Sequence, residues 1–299
     1  MADLHCSQVK SRYNFAAWWH LLSLDAPTVA ALWCWFFARA MRLRIPLLAA
    51  LLLAGATWLF YVADRILDGF GGPSSELRER HTFHARHRRA FIVASLVLAG
   101  PLAWMILTRM YFQTLRDEVF LSVFALLYLL LVHVAGRFAR IGRSGWLPKE
   151  LAVGVLFAAA TAVPSWSRMG RYPDLAKERL AVAVVLFAVL CWVNCVAIEK
   201  WETVRPVAFD RLPRAAKHPS TRWACTHLQF IVSIFALSSM AAAFLAPTSG
   251  LRDIYLAALL SSGFLLALDA RRSAFTPFSL RIAADAALLT PLAFFPALR

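Results

Sequence analysis

Long apolar stretches separated by polar connections run through the whole chain. Nine of them are visible, at roughly 15–38, 45–66, 90–108, 118–136, 150–166, 180–198, 226–246, 252–269 and 281–297. Each is close to the length of about twenty residues that a helix needs to cross the apolar part of a bilayer. The pattern therefore predicts about nine transmembrane helices. No repeat of solenoid period and no low-complexity tail interrupts the series, so residues 1–299 are predicted to form a single transmembrane domain.

The composition supports this interpretation. Hydrophobic residues make up 60% of the chain and charged residues 16%, whereas soluble domains carry about 25% charged residues. The residues before the first apolar stretch, 1–13, are polar. The first stretch is therefore predicted to be a retained membrane helix rather than a cleaved signal peptide.

The charge distribution predicts an orientation and limits the partners. The formal net charge is +15, and about two thirds of the 32 Lys and Arg residues fall in the N-terminal tail and the even-numbered connections between spans. The positive-inside rule then places the N-terminus in the cytoplasm and the C-terminus outside, as in a multi-pass protein of the cytoplasmic membrane. The basic loops suit anionic lipid headgroups or an anionic substrate. No DNA- or RNA-binding motif is present, so no nucleic-acid partner is expected.

Two acidic helix ends carry the candidate chemistry. Asp64 and Asp68 close the second span, and Glu199 and Glu202 close the sixth. Residues three or four apart share one face of a helix, so each pair presents two carboxylates together. Both ends are predicted to emerge on the cytoplasmic side, where the four carboxylates could share divalent cations. Alternatively, each pair is a solvated helix end whose counter-charge comes from the basic residues that follow.

Basic residues near these ends could hold the phosphates that such cations bind, through charge-assisted hydrogen bonds. They are Arg65, Arg86, Arg88, Lys200, Arg205 and Arg211. An ionisable residue within a span is a functional hypothesis by default, although water weakens that inference at the interface.

These motifs, in this order, resemble the UbiA superfamily of intramembrane prenyltransferases over most of the chain. The first span carries Leu24-Asp25-Ala26-Pro27, similar to the family's Arg-x-Asp-Lys-Pro signature. The second span ends in Asp64-Arg65-x-x-Asp68, which resembles the second half of the motif N-D-x-x-D-x-x-x-D. The sixth span ends in Asn194…Glu199…Glu202, where the family has its second aspartate-rich motif. The resemblance implies an all-α bundle of about nine helices around a central cavity that opens towards the cytoplasm.

The resemblance also implies a function. In such enzymes the acidic motifs bind Mg²⁺, which holds the diphosphate of a polyprenyl donor, and a lipophilic and often aromatic acceptor attacks the allylic cation. It assigns catalytic roles to Asp64, Asp68 and Glu199, which together with Glu202 would be the metal ligands. Substrate-binding roles are then assigned to residues near these motifs and in the fourth connection. They are Asp25, Tyr61, Arg65, Arg140, Arg143, Asn194 and Lys200.

Departures from the family pattern leave a second hypothesis open. Phe60 and Tyr61 stand where the family has the opening Asn and Asp of its first motif. The second Asp of the second motif falls at Thr203, and the signature Arg of the first span falls at Ser23. A non-catalytic isoprenoid- or lipid-binding membrane protein with a degenerate metal site is therefore the alternative. A small transporter is a third hypothesis, and the sequence lacks the paired interrupted helices that would favour it.

Other polar residues have structural interpretations. His20 lies in an apolar span and is expected to be a hydrogen-bonded interior residue. Arg281 and Asp285 are spaced for an ion pair within the last helix. His81, His84 and His87 follow the second span. They could bind a transition metal, but a basic amphipathic helix on the lipid headgroups is the favoured interpretation.

Overall fold

Helices are the only regular secondary structure in the described part of the chain. The computed structural model describes residues 14–68, 79–109, 115–117, 119–120, 122–123, 127, 148–170, 172–203 and 218–295. The α-helices are α1 (Phe15–Leu21), α2 (Asp25–Ala40), α3 (Leu47–Asp68), α4 (Glu79–Arg86), α5 (Arg88–Arg109), α6 (Lys149–Trp166), α7 (Asp174–Thr203), α8 (Pro219–Thr226), α9 (Leu228–Leu245), α10 (Ser249–Ala270) and α11 (Pro277–Ala287). Two short 3₁₀ helices, Arg272–Ala274 and Thr290–Phe294, flank α11. No strand occurs among these residues.

Among the described residues, six helical segments are long and apolar enough to cross a membrane, and the bent pair α1–α2 would make a seventh. The six segments are Leu47–Leu67, Arg88–Arg109, Asp174–Glu202, Leu228–Leu245, Ser249–Ala270 and Pro277–Phe294. The predicted fifth span is also a helix, α6, but two charged residues at its start lower its mean hydropathy. The predicted fourth span, 118–136, lies mostly outside the described residues. This set of helices indicates a multi-pass integral membrane protein.

The first span is broken, where the sequence predicts one continuous helix over 15–38. Helices α1 and α2 meet at 90°. Ser23, in the break, has φ of 62° in the left-handed region, which costs a non-glycine residue roughly 1 kcal/mol or more. Its hydroxyl accepts a hydrogen bond of 2.7 Å from Arg65. The contact that stabilises this backbone conformation therefore comes from another helix, α3.

The centre of the bundle is built on aromatic side chains of α2 and α7. Trp33 is fully buried and stacks on Phe187 with ring centroids 4.0 Å apart. Its indole N–H donates to the carbonyl oxygen of Leu288 at 2.8 Å. Because this Trp has a partner for its one polar atom, it packs in the interior without an unpaired donor. Helices α2 and α7 and the end of α11 are thereby held in one core.

Helices α6 and α7 approach closely through small residues. Gly154, Ala158 and Ala162 follow at four-residue intervals on α6 and are buried. A Cβ atom placed on Gly154 would lie 2.8 Å from the backbone nitrogen of Trp192. Small residues at this spacing let membrane helices pack with their backbones nearly in contact.

Several helix ends lie together on one side of the bundle, which we call the near side. Lys149 at the start of α6 pairs with Asp64 near the end of α3 at 3.4 Å. Arg281 near the start of α11 pairs with Glu202 at the end of α7 at 2.9 Å. On the opposite side, Gly250 at the start of α10 packs against the backbone of Ala40 at the end of α2. The acidic ends of α3 and α7 thus both belong to the near side.

Candidate functional site

A cluster of ionisable side chains is buried where the break of the first span meets α3 and α11. The Nδ1 atom of His20 lies 2.6 Å from Oδ2 of Asp25 and 3.5 Å from Oδ2 of Asp285. Arg65 lies with its Nη2 atom 3.7 Å from the same Asp25 oxygen. We call His20, Asp25, Arg65 and Asp285 the deep cluster. Its first and last members in the sequence, His20 and Asp285, are 265 positions apart.

Arg65 fixes the cluster from α3. It is 3% exposed and donates from Nη1 to the carbonyl oxygen of His20 at 2.9 Å and to the hydroxyl of Ser23 at 2.7 Å. The guanidinium group thus joins the last turn of α3 to the break between α1 and α2. Its positive charge compensates the buried Asp25 carboxylate, because an unpaired charge in the interior is costly.

Helix α4 closes the cluster from the near side. His84 is fully buried, stacks on Phe91 with ring centroids 4.1 Å apart and has its Nε2 atom 3.1 Å from the hydroxyl of Ser23. The same hydroxyl that accepts from Arg65 is thus also a hydrogen-bond partner of His84. Burial lowers the pKa of His84 to about 3, and the charge of Arg65 acts in the same direction. His84 is therefore neutral at pH 7.

This neutral histidine predicts acid sensitivity. The ordinary pKa of 6.5 applies to the unfolded chain and about 3 to the folded one, so below about pH 6.5 the unfolded state binds the extra proton. The free energy of unfolding should then fall as the pH drops from about 6.5 towards 3. We expect the apparent melting temperature in detergent to decline over this range, and the decline to be shallower in His84→Phe.

Substitution of the exposed neighbour His87 provides the control for this pH profile. His87 lies on the same segment with its side chain exposed. His87→Phe should keep the decline that the unmodified protein shows. An equally steep decline in His84→Phe would show that His84 is not the titrating group.

Further polar groups surround Asp285 on the side away from Arg65. The Asn194 amide nitrogen on α7 lies 3.4 Å from Oδ1 of Asp285. Tyr61 on α3 is within electrostatic range of Asp25, Asp285 and Cys195. Asp285 lies deep in the protein, yet 21% of its side chain remains accessible. Tyr61 and Cys195 are also partly accessible.

The near-side carboxylates each have their own environment. Asp64 is 32% exposed and pairs with Lys149. Glu199 is partly exposed, and its charge acts on Cys195 together with those of Lys149 and Glu150. Glu202 is 10% exposed in its pair with Arg281, so a metal ion would have to displace that ion pair.

The predicted site residues therefore fall into separate groups. Asp25, Tyr61, Arg65 and Asn194 meet around the deep cluster. Lys200 instead pairs at 3.1 Å with Asp269, a buried carboxylate that also accepts from Trp201 at 2.8 Å. Arg140, Arg143 and the side chain of Asp68 lie outside the described residues, so their predicted roles stay predictions.

Sequence reasoning missed two central residues. Asp285 was expected to pair with Arg281, whose charge does act on it, but the close ion pair of Arg281 is with Glu202, and Asp285 lies against His20 and Asn194. His20 was expected to be an interior residue, but its two carboxylate partners were not foreseen. In the described part of the chain, His20, Asp25 and Asp285 form the group of three possible metal-ligand residues whose atoms lie within 4.8 Å of one another. A carboxylate inside an apolar span was the available signal for Asp285.

Comparison with known proteins adds no relative. No protein-family model, no curated protein and no solved structure matches this chain.

Proposed function

We propose that this protein is an integral membrane prenyltransferase that moves a prenyl group from a polyprenyl diphosphate to a lipophilic acceptor. The reaction would take place in a cavity between the helices that opens on the near side, which the positive-inside rule assigns to the cytoplasm. The resemblance of the acidic motifs to the UbiA superfamily motivates the proposal.

One geometric observation supports it above the others. The helices that carry the near-side carboxylates also carry polar residues deeper along their axes. Tyr61 precedes Asp64 by three residues on α3, and Asn194 precedes Glu199 by five on α7. At 1.5 Å per residue these groups lie about 4.5 and 7.5 Å deeper. A charged mouth over an accessible interior suits an amphiphilic substrate whose diphosphate stays near water while its chain enters the protein.

The carboxylates at the near side are of the ligand type that Mg²⁺ prefers. Asp64 and Glu199 offer carboxylate oxygens, the ligands that this hard cation prefers, and Asp68 follows Asp64 by one turn on the same helix. Bound Mg²⁺ would neutralise charge on the diphosphate as it leaves. The side chain of Lys149 at Asp64 is 42% exposed, so its ammonium group can turn towards a phosphate oxygen when an anionic substrate arrives.

The remaining steps are bond cleavage in the donor, attack by the acceptor and stabilisation of the allylic cation. The C–O bond of the donor breaks and its electron pair leaves with the diphosphate, while the acceptor supplies the pair for the new bond and releases a proton to water at the mouth. Apolar walls between the helices keep water from the allylic cation. The aromatic faces of Tyr61 or Trp192, both partly accessible, can stabilise this cation by about 0.5–2 kcal/mol each.

A direct test measures diphosphate release. Purified protein is incubated with Mg²⁺ and labelled polyprenyl diphosphates of several chain lengths, with a known prenyltransferase alongside. We expect release that stops when the metal is chelated and falls to background in Asp64→Asn, because the substitution removes a charged ligand. Asp174→Asn is the matched control, since Asp174 is 90% exposed at the start of α7 and should behave like the unmodified protein.

The alternative function has its own signature in the same experiment. A non-catalytic isoprenoid-binding protein would bind the labelled diphosphate without releasing it, would ignore the chelator and would retain binding in Asp68→Asn. Finding neither binding nor release, while the known enzyme is active, would remove both proposals.

A further inference from the structure

We infer that a cavity at the near-side ends of α7, α9 and α10 binds the phosphodiester head group of an anionic membrane lipid. None of the residues that line this cavity belongs to the deep cluster or to the near-side carboxylates. The inference therefore holds whether or not the protein transfers prenyl groups. It gives Lys200 a role outside the proposed donor site.

The cavity has the size and lining of a site for a small anionic group. Its volume is about 650 Å³, within the range of about 300–1,000 Å³ that small-ligand sites occupy. Lys200 and Arg272 line it together with the polar side chains of His227 and Gln229, and Phe230 forms an apolar part of the wall. Two of the described lining residues are thus cations, and none of them is acidic.

Asp269 holds the donors of this cavity in place without lining it. Its carboxylate is 1% exposed. Oδ2 accepts from the Lys200 ammonium group at 3.1 Å and from the Gln229 amide at 2.8 Å. Oδ1 lies 3.4 Å from Nη1 of Arg272. Side chains that are already held in position lose less conformational entropy when an anion binds.

The charge balance of this group favours an anionic ligand. Lys200 and Arg272 carry two positive charges and share the single carboxylate of Asp269, so these three residues together are cationic. A phosphodiester brings one negative charge and oxygens that accept charge-assisted hydrogen bonds from ammonium and guanidinium groups. The side chain of Arg272 is 42% exposed, which leaves it accessible to such a ligand.

The cavity lies at the level where lipid head groups meet the protein. Lys200 precedes the end of its span, Glu202, by two residues, and Arg272 follows the end of its span, Ala270, by two. Gln229 is the second residue of the span that begins at Leu228. Basic pockets between membrane helices on the cytoplasmic side are suited to anionic lipid head groups.

An apolar stripe on α9 leads from the cavity towards the middle of the membrane. Phe230, which lines the cavity, is 63% exposed, and Ile234 and Leu237 are 48% and 59% exposed. Residues four and seven positions apart share one face of a helix, and this stripe extends for about 10 Å. An acyl chain can lie along it while the head group occupies the cavity, which favours a lipid over a free phosphate.

A matched pair of lipids tests the inference. Full-length purified protein in a non-ionic detergent is titrated with dioleoylphosphatidylglycerol and with dioleoylphosphatidylcholine, and the retained lipid is counted by native mass spectrometry. We expect one phosphatidylglycerol to bind at least about tenfold more tightly than phosphatidylcholine, because two cations face its head group. Equal affinities for the two lipids would overturn the inference.

Arg272→Gln locates the binding. It should lower phosphatidylglycerol affinity about fivefold, the effect of one basic residue near an anionic lipid. Asp269 keeps its contacts with Lys200, Trp201 and Gln229 in this variant, so the fold should be preserved. Lys200→Gln should weaken binding as well, and Arg272→Gln alone decides the test if Lys200→Gln fails to fold.

Arg271→Gln is the matched control. Arg271 is the exposed neighbour of Arg272 and does not line the cavity, so its substitution should leave phosphatidylglycerol affinity nearly unchanged. An equal loss in Arg271→Gln and Arg272→Gln would show that the lipid responds to the general positive charge of the near side. That result would overturn the site.

Two further outcomes would assign the cavity to another ligand. Soluble glycerol 1-phosphate should bind at least about tenfold more weakly than the lipid, because it makes no contact with the apolar stripe. Equal affinity, with the same dependence on Arg272, would replace the lipid by a soluble phosphate. Loss of prenyl diphosphate binding in Arg272→Gln, with phosphatidylglycerol binding unchanged, would instead make the cavity part of the donor site.

Discussion

Replacing Arg65 with Met should lower the free energy of unfolding by about 3–5 kcal/mol, the usual cost of removing one partner from a buried ion pair. The substitution leaves the carboxylate of Asp25, which is 9% exposed, without its cation. It also removes the hydrogen bonds to the His20 carbonyl and to Ser23 that join α3 to the break of the first span. Denaturant or thermal unfolding in one detergent would measure the loss.

Two further variants make this test specific. Arg89 is an exposed arginine at the start of α5, so Arg89→Met should stay within about 0.5 kcal/mol of the unmodified protein. The double variant Asp25→Asn/Arg65→Met should be more stable than the sum of the single losses implies, since neither charge is then left alone. Strict additivity of the two substitutions would show that Arg65 and Asp25 do not form a coupled pair.

Replacing Gly154 with Ala should destabilise the bundle by about 1–3 kcal/mol, the range for inserting one extra carbon into a packed interior. The new Cβ would lie 2.8 Å from the backbone nitrogen and 3.1 Å from the Cα atom of Trp192, and 3.0 Å from the carbonyl oxygen of Ala188. These are backbone atoms, so no side-chain rotation relieves the contact, and α6 must move away from α7. The same unfolding assay gives the readout.

Gly263 provides the matched control on another helix. It lies within α10, and a Cβ there would meet nothing within 4 Å. Gly263→Ala should therefore be neutral or stabilise the protein by up to about 1 kcal/mol, because alanine favours the helix more than glycine does. If the Gly154 and Gly263 variants had the same stability, close packing of α6 on α7 would not limit the fold.

Helix existence follows from the local sequence, and helix continuity does not. The apolar runs of α3, α5, α7, α9 and α10 predict these helices because each run alone satisfies the length that a bilayer requires. Pro27 lies in the first turn of α2 and weakens a continuous helix, but it does not by itself specify a 90° break at Ser23, so the break was not predicted. Its left-handed backbone is held by Arg65, which lies 42 residues away.

The candidate site likewise contains features that the local sequence predicts and features that depend on tertiary packing. Asp64, Glu199 and Glu202 could be identified from spacing, because a helix places residues three or four apart on one face. Their partners depend on neighbouring helices: Lys149 meets Asp64, and Arg281 meets Glu202. Arg281 was expected to pair with Asp285 within α11, but its close ion pair is with Glu202, and it acts on Asp285 through its charge.

The sequence by itself determined that this is an all-α membrane protein with a series of spanning helices, because hydrophobic length and residue spacing along one helix are local properties. Only the tertiary structure decided that the first span is broken and that His20, Asp25, Arg65 and Asp285 share one buried cluster. Long-range burial is what selects those contacts. A charged or polar group inside an apolar bundle must find a partner, and which helix supplies it depends on how the helices pack.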